Sequence, residues 1–126
     1  MAVRALRGAI TVDVDDPSEI RQRTIDLLTV LYERNELDHD DVISIFFTAT
    51  EDLRSLPPAA AARAFGLVDV PLLCAQEMAS DIGLDLCVRM LLHVETERPR
   101  LELRHVFLRG ATSLRPELAE PGDAER

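Results

Sequence analysis

The segment LCVRMLLHVET, Leu86 to Thr96, is apolar on both sides of a single arginine. Its even positions, Leu86, Val88, Met90, Leu92 and Val94, are all apolar. Its odd positions, Cys87, Arg89, Leu91, His93 and Glu95, are mixed. Successive side chains of a β-strand point to opposite faces of the sheet. The pattern therefore predicts a strand with one face in a core and the other carrying Arg89.

The same parity recurs at both ends of the chain. Val3 to Val14 reads as a strand in which Leu6, Ile10 and Val12 share one side, while Arg7 lies with Val3, Ala5, Ala9 and Thr11. Arg104 to Arg109 reads as a short closing strand, with Val106 and Leu108 alternating with His105, Phe107 and Arg109. One mixed sheet face is thus expected to carry Arg7, Arg89 and Phe107. Such a face is too apolar for water and is expected to pack against another subunit. Burying a guanidinium without an anion costs several kcal/mol, on the order of a buried unpaired charge. Either a protein carboxylate or a ligand must meet these groups, and parity leaves both open.

Between the strands lie two helical signals. In DDPSEIRQRTIDLLTVLYERNEL, Asp16 is placed to cap a helix and Pro17 to occupy its first position; Ile20, Thr24, Leu27, Leu28, Leu31 and Tyr32 fall on one face. LPPAAAARAFG predicts a short helix that starts at its prolines and stops at Gly66. DDVISIFFTAT and DVPLLCAQEM supply two further strands. The order strand–helix–strand–short helix–strand–strand–strand implies an α+β fold, a five-stranded mixed sheet with one long and one short helix on one face. Residues 1–118 are expected to form one domain, and residues 119–126 (AEPGDAER) a polar, flexible tail.

Composition removes several function classes. The net charge of −9 argues against non-specific nucleic-acid binding, which needs a basic footprint. All 14 basic residues are arginine, which reads as a coding bias, so arginine position carries information and arginine number does not. No apolar run approaches the roughly 20 residues of a membrane span, and no signal peptide is evident, so a cytoplasmic location is expected. Cys74 and Cys87 are expected as free thiols; with His39, His93 and His105 they show no metal-ligand spacing. The remaining oddity is CAQE, Cys74 to Glu77, which ends an apolar strand in a thiol, an amide and a carboxylate.

RALRGAITV (Arg4 to Val12), FTATEDL (Phe47 to Leu53), VPLLCAQEM (Val70 to Met78), CVRMLLHV (Cys87 to Val94) and RHVFLRGATSLRPEL (Arg104 to Leu118) resemble the successive motifs of the monofunctional chorismate mutases of the trimeric α+β type. R-G-A-x-T-V, C-x-Q-E-M and the closing L-R-P make a specific signature together, though each is weak alone. The resemblance implies a homotrimer of ferredoxin-like subunits whose sheets enclose a barrel-like centre, with active sites between neighbours. It implies conversion of chorismate to prephenate, on the way to phenylalanine and tyrosine, with no cofactor or metal. By resemblance, Arg89 donates to the ether oxygen and a carboxylate, Arg7 binds a carboxylate, and Glu77 accepts from the ring hydroxyl. Cys74 contacts that same region, and Leu73, Ala75 and Gln76 complete the loop. Arg63 is a mouth residue, and Leu114 and Arg115 help cover the cleft.

The chain departs from the family pattern in three places. Phe107 stands where many members have tyrosine, so a hydroxyl that would donate to a carboxylate is absent and weaker binding is expected. Pro57 and Ala60 stand where others carry an aromatic and a lysine, which makes Arg63 the expected mouth cation. One residue is missing before Val70. A non-catalytic trimeric domain that binds small carboxylates is the alternative expectation. A trimeric enamine/imine deaminase fits the interface arginines but not C-x-Q-E-M and L-R-P.

Overall fold

The computed structural model describes residues 1–126. Strand β1 is Ala2–Thr11, helix α1 Pro17–Asn35, β2 Val42–Ala49, α2 Pro58–Phe65, β3 Leu72–Gln76, β4 Cys87–Thr96 and β5 Val106–Leu108. The strands form one five-stranded sheet in the order β3-β2-β4-β1-β5. The β3/β2 and β1/β5 pairs are parallel; β2/β4 and β1/β4 are antiparallel. The α+β expectation is met. The first and last strands are shorter than the alternation alone implied. β1 gives way to bends after Thr11, and β5 keeps only three residues, between an irregular stretch at 103–105 and the 3₁₀ helix that starts at Arg109.

The helices begin and end where local chemistry dictates. The Asp16 carboxylate accepts from the backbone N–H groups of Ser18 and Glu19 at 3.0 and 3.1 Å, filling donors that the first helical turn leaves unpaired. Removing such a cap costs about 1 kcal/mol. Gly66 ends α2 at φ 119°, a left-handed conformation that costs glycine little. Helix α1 buries Ile20, Thr24, Leu27, Leu28 and Leu31, and its three leucines share one core with the even-parity side chains of the central strands: Leu6, Ile10, Val88, Met90, Leu92 and Val94. Each fully buried aliphatic side chain contributes about 1.5–3 kcal/mol. Gly8 lies under this contact: a Cβ there would meet Met90 Cγ at 3.1 Å and Leu27 Cδ1 at 3.2 Å, so the absent side chain lets α1 approach β1.

The opposite sheet face is not uniform. Toward β5, the 3₁₀ turns after the last strand fold over it, and Ala9, Cys87, Phe107 and Ala111 form a small second core against Leu84, Leu114 and Leu118. Toward β2 and β3 the face is open, with Phe46 46% and Leu73 57% exposed.

The closing residues make defined side-chain contacts. Asp123 is buried and paired with Arg34 of α1, while Glu120 pairs with Arg104. Nearby, the buried Asn35 side chain accepts from the Arg104 N–H at 2.7 Å and donates to the Arg104 carbonyl at 2.9 Å. These contacts bind the end of α1 to both the approach to β5 and the C-terminus. No helix is long and apolar enough to cross a membrane.

Candidate active site

The sheet register assembles the site row by row. Thr48 of β2 faces both Ala75 of β3 and Arg89 of β4; Arg89 faces Ala9 of β1, and Ala9 faces Phe107 of β5. These five residues form a line across the face opposite the helices. The adjoining row runs Leu73, Phe46, Leu91 and Arg7. The expected gathering of Arg7, Arg89 and Phe107 on one face is observed. Arg7 Cζ lies 5.7 Å from the centroid of the Phe107 ring, within cation–π range. A shallow hollow of about 340 Å³ lies here, lined by Arg7, Phe46, Thr48, Arg89, Met90 and Leu91.

Glu77 joins Arg89 from the end of β3. Its N–H donates to the Ala49 carbonyl at 2.8 Å, carrying the β3/β2 pairing one residue further, and its side chain turns to the Arg89 face. Glu77 Oε1 lies 2.6 Å from Arg89 Nε, both side chains being about three-quarters buried or more. The contact is ionic: the Nε hydrogen is not aligned on the carboxylate. Pairing of Arg89 with a protein carboxylate, one of the two partners that parity left open, is thus present in the single chain. The Thr48 hydroxyl donates to the same Glu77 oxygen at 3.4 Å.

Cys74 is elsewhere. It faces Phe47 rather than Thr48, so alternation turns it to the helix side of the sheet, away from Glu77 and Arg89. The Ala59 N–H in the first turn of α2 donates to its sulfur at 3.3 Å. Burial pushes the Cys74 thiol pKa up, against smaller lowering contributions from that N–H and from the Arg63 guanidinium. It is a poor nucleophile. Cys74, Ala75 and Gln76 line a second hollow of about 370 Å³ with Thr50, Leu56, Pro57 and Pro58 at the β3 edge of the sheet. Arg63 stands exposed on α2. Within a single chain Cys74 and Glu77 therefore lie on opposite sides of the sheet, because they stand an odd number of positions apart along an extended strand.

The C-terminal candidates divide similarly. Leu114 packs on the cluster around Phe107, whereas Arg115 is exposed and reaches Glu117 with Nε 2.6 Å from Oε1. Three neighbours were not singled out from the sequence. Thr48 was detectable, since β2 alternation puts it level with Arg89. Cys87 is fully buried beside Arg89, and its thiol pKa is pushed up to about 11, chiefly by burial and against the lowering effect of that arginine. His105 accepts a hydrogen bond from the Arg7 backbone, a contact no sequence pattern encodes. No three His, Cys, Asp or Glu side chains converge in a way that could hold a metal ion.

Residues 3–118 match the family model described as chorismate mutase type I. The chain is 44% identical over 117 residues to a protein named chorismate mutase AroH from Thermus thermophilus, covering 92% of this chain and 96% of that one. It is 40% identical over 120 residues to the chorismate mutase AroH of Bacillus subtilis (strain 168), covering 94% of each. Among solved structures, a chorismate mutase from Clostridium thermocellum superposes with a TM-score of 0.85 at 40% identity, over 87% of this chain and 98% of that one.

Proposed function

The chain belongs to the type I chorismate mutase family, isomerases of aromatic amino-acid biosynthesis, and on that premise we propose that it converts chorismate to prephenate in a cleft between subunits of a cytoplasmic homotrimer. The reaction is a concerted 3,3 rearrangement in which a C–O bond breaks as a C–C bond forms. It requires no nucleophile, proton transfer or cofactor. The protein must hold a compact chair-like conformer and stabilise the negative charge that grows on the ether oxygen. An acceleration of about a millionfold corresponds to roughly 8 kcal/mol. One preorganised donor to a developing oxyanion contributes about 3–4 kcal/mol, and orientation with the remaining contacts supplies the rest.

In this reading Arg89 is the donor to the ether oxygen, Arg7 binds a carboxylate and Glu77 receives the ring hydroxyl. The observation that carries it is the gathering of Arg7, Arg89 and Phe107 on one sheet face, with a hollow beside the two arginines and Glu77 next to Arg89. A substrate with a hydroxyl, an ether and two carboxylates presents complementary groups to that set. Glu77 holds Arg89 in place before substrate arrives, which limits the reorganisation left for the reaction step.

The division of the candidates between two places supports a site shared between subunits. Cys74, Gln76 and the Pro57 mouth lie toward the β3 edge on the helix side, while Arg89, Glu77 and Arg7 lie on the open face. One substrate can touch both sets only if a second copy brings its edge to the first copy's face. The exposed Phe46, Leu73 and Val3 on that face support such packing. The non-catalytic alternative is not favoured, because the matched family and the named relatives are mutases.

The test is to mix purified protein with chorismate and follow loss of its conjugated diene. Arg89→Ala is expected to lower kcat/KM by about a thousandfold or more, the loss that follows removal of a principal oxyanion donor. A variant with nearly unchanged turnover defeats the assignment.

A further inference from the structure

β5 contributes only three rungs to the sheet, Gly8 with Val106, Ala9 with Phe107 and Ile10 with Leu108. Arg7 stands one residue before the first of them. Its backbone N–H has no strand carbonyl there; it donates instead to Nδ1 of His105, 2.9 Å away. An imidazole nitrogen thus adds one side-chain rung to the β1/β5 pairing directly at the arginine that faces the substrate. On the other side of the same residue, the Phe107 ring underlies the Arg7 guanidinium at 5.7 Å. His105 holds the backbone of Arg7 and Phe107 holds its charged end.

We propose that His105 is a positioning residue for Arg7: its neutral imidazole accepts the Arg7 backbone N–H and so sets where the guanidinium meets a substrate carboxylate. The inference rests on the reading of Arg7 as a carboxylate-binding group. The protonation state follows from the donor. A backbone amide can only donate, so the Nδ1 that receives it carries no proton, and the neutral ring bears its hydrogen on Nε2. Protonation would set one N–H against another and add a cation between Arg7 of β1 and Arg115 of the turn after β5. Those are the charged groups that act on the ring, and Arg115 itself holds Glu117. Burial first, and then these two guanidinium groups, keep the His105 pKa below its ordinary value of 6.5. The accepting form is therefore the one present at neutral pH, and it is lost only on the acid side of that value.

The experiment measures kcat and KM for chorismate from pH 4.5 to 8 in the wild type, His105→Asn, His105→Ala and Arg7→Ala. The Asn side-chain oxygen can take the place of Nδ1 and does not titrate. At pH 7.5, His105→Ala is expected to raise KM about fivefold to tenfold with kcat within about twofold, and His105→Asn to restore KM. The wild-type kcat/KM falls on the acid side of the ordinary histidine value of 6.5, and that fall is absent in His105→Asn. In the ligand-free protein, the Arg7 amide proton resonance shifts over the same acid range in the wild type and not in His105→Asn, a readout independent of turnover. If Arg7→Ala raises KM while His105→Ala leaves it unchanged, the positioning role is overturned and the Arg7 reading stands. If Arg7→Ala itself leaves KM unchanged, both fall. Identical acid profiles in the wild type and His105→Asn also overturn it.

Discussion

Replacing Asp123 by alanine removes a carboxylate that is 1% exposed and leaves the Arg34 guanidinium, itself only 10% exposed, facing its vacated place. In the native chain Arg34 Nη1 donates to Asp123 Oδ2 at 3.1 Å, a second nitrogen meets Oδ1, and Asp123 Oδ2 also accepts from the Glu120 N–H at 2.8 Å. Breaking one side of a buried pair costs about 3–5 kcal/mol, because the remaining charge stays desolvated. Glu120 lies 3.6 Å from Arg34 and offsets part of this, so a loss of about 3 kcal/mol is expected. For a chain of this size that lowers Tm by roughly 10–15 °C. The assay is urea unfolding at fixed protein concentration, which keeps any subunit association constant. The sign of the pH dependence gives a second check. Burial alone would raise the Asp123 pKa, but the Arg34 pair and the Glu120 N–H outweigh it and hold the carboxyl below 3.8. The group thus contributes fully above about pH 4, and its contribution fades as acid protonates it in the folded state. The gap between wild type and variant should narrow below pH 4. A loss under about 0.5 kcal/mol at neutral pH, the size of an ordinary surface substitution, would mean that the C-terminus is not held in solution and would refute the reasoning.

Two further substitutions separate roles around the site. Cys74→Ala should leave kcat/KM within about threefold, because a thiol kept protonated by burial and backed against α2 does no covalent chemistry; a loss beyond a hundredfold contradicts this. Phe107→Tyr supplies the hydroxyl that many family members carry, and KM for chorismate is expected to fall about threefold to tenfold. Urea unfolding should show no more than about 1 kcal/mol of destabilisation, since a phenol buried without a partner would cost more.

Much of this architecture is legible where the determining chemistry is local. Asp16, Pro17 and Gly66 announce helix ends because caps act within a few residues. Arg7, Arg89 and Phe107 can be placed together because period-2 alternation needs only each strand's own pattern. CAQE was harder to read. Taken as one polar cluster it points to one place, whereas the pleat sends Cys74 and Glu77 to opposite sides once β3 pairs with β2. The docking of the C-terminus was illegible for a different reason. Asp123 meets an arginine 89 positions away, and nothing in AEPGDAER encodes that partner. His105 is intermediate: its place beside Phe107 is evident from sequence, but its acceptor role depends on β5 ending one rung short of Arg7.

The alternation along β3 also sets where this chain can tolerate a change in length. The pairing of β3 on β2 begins where the Ile45 N–H meets the Pro71 carbonyl and then runs without interruption to the Glu77 N–H. A residue lost upstream of that point, as the motif spacing before Val70 implies, shortens a connection and leaves every later side chain on its own side. The same deletion at Leu72 or Leu73 would reverse every residue beyond it, sending the acid toward the helices and the thiol toward Arg89. Pro71 is therefore the border between a segment free to gain or lose residues and one in which the reading frame of the pleat is part of the chemistry.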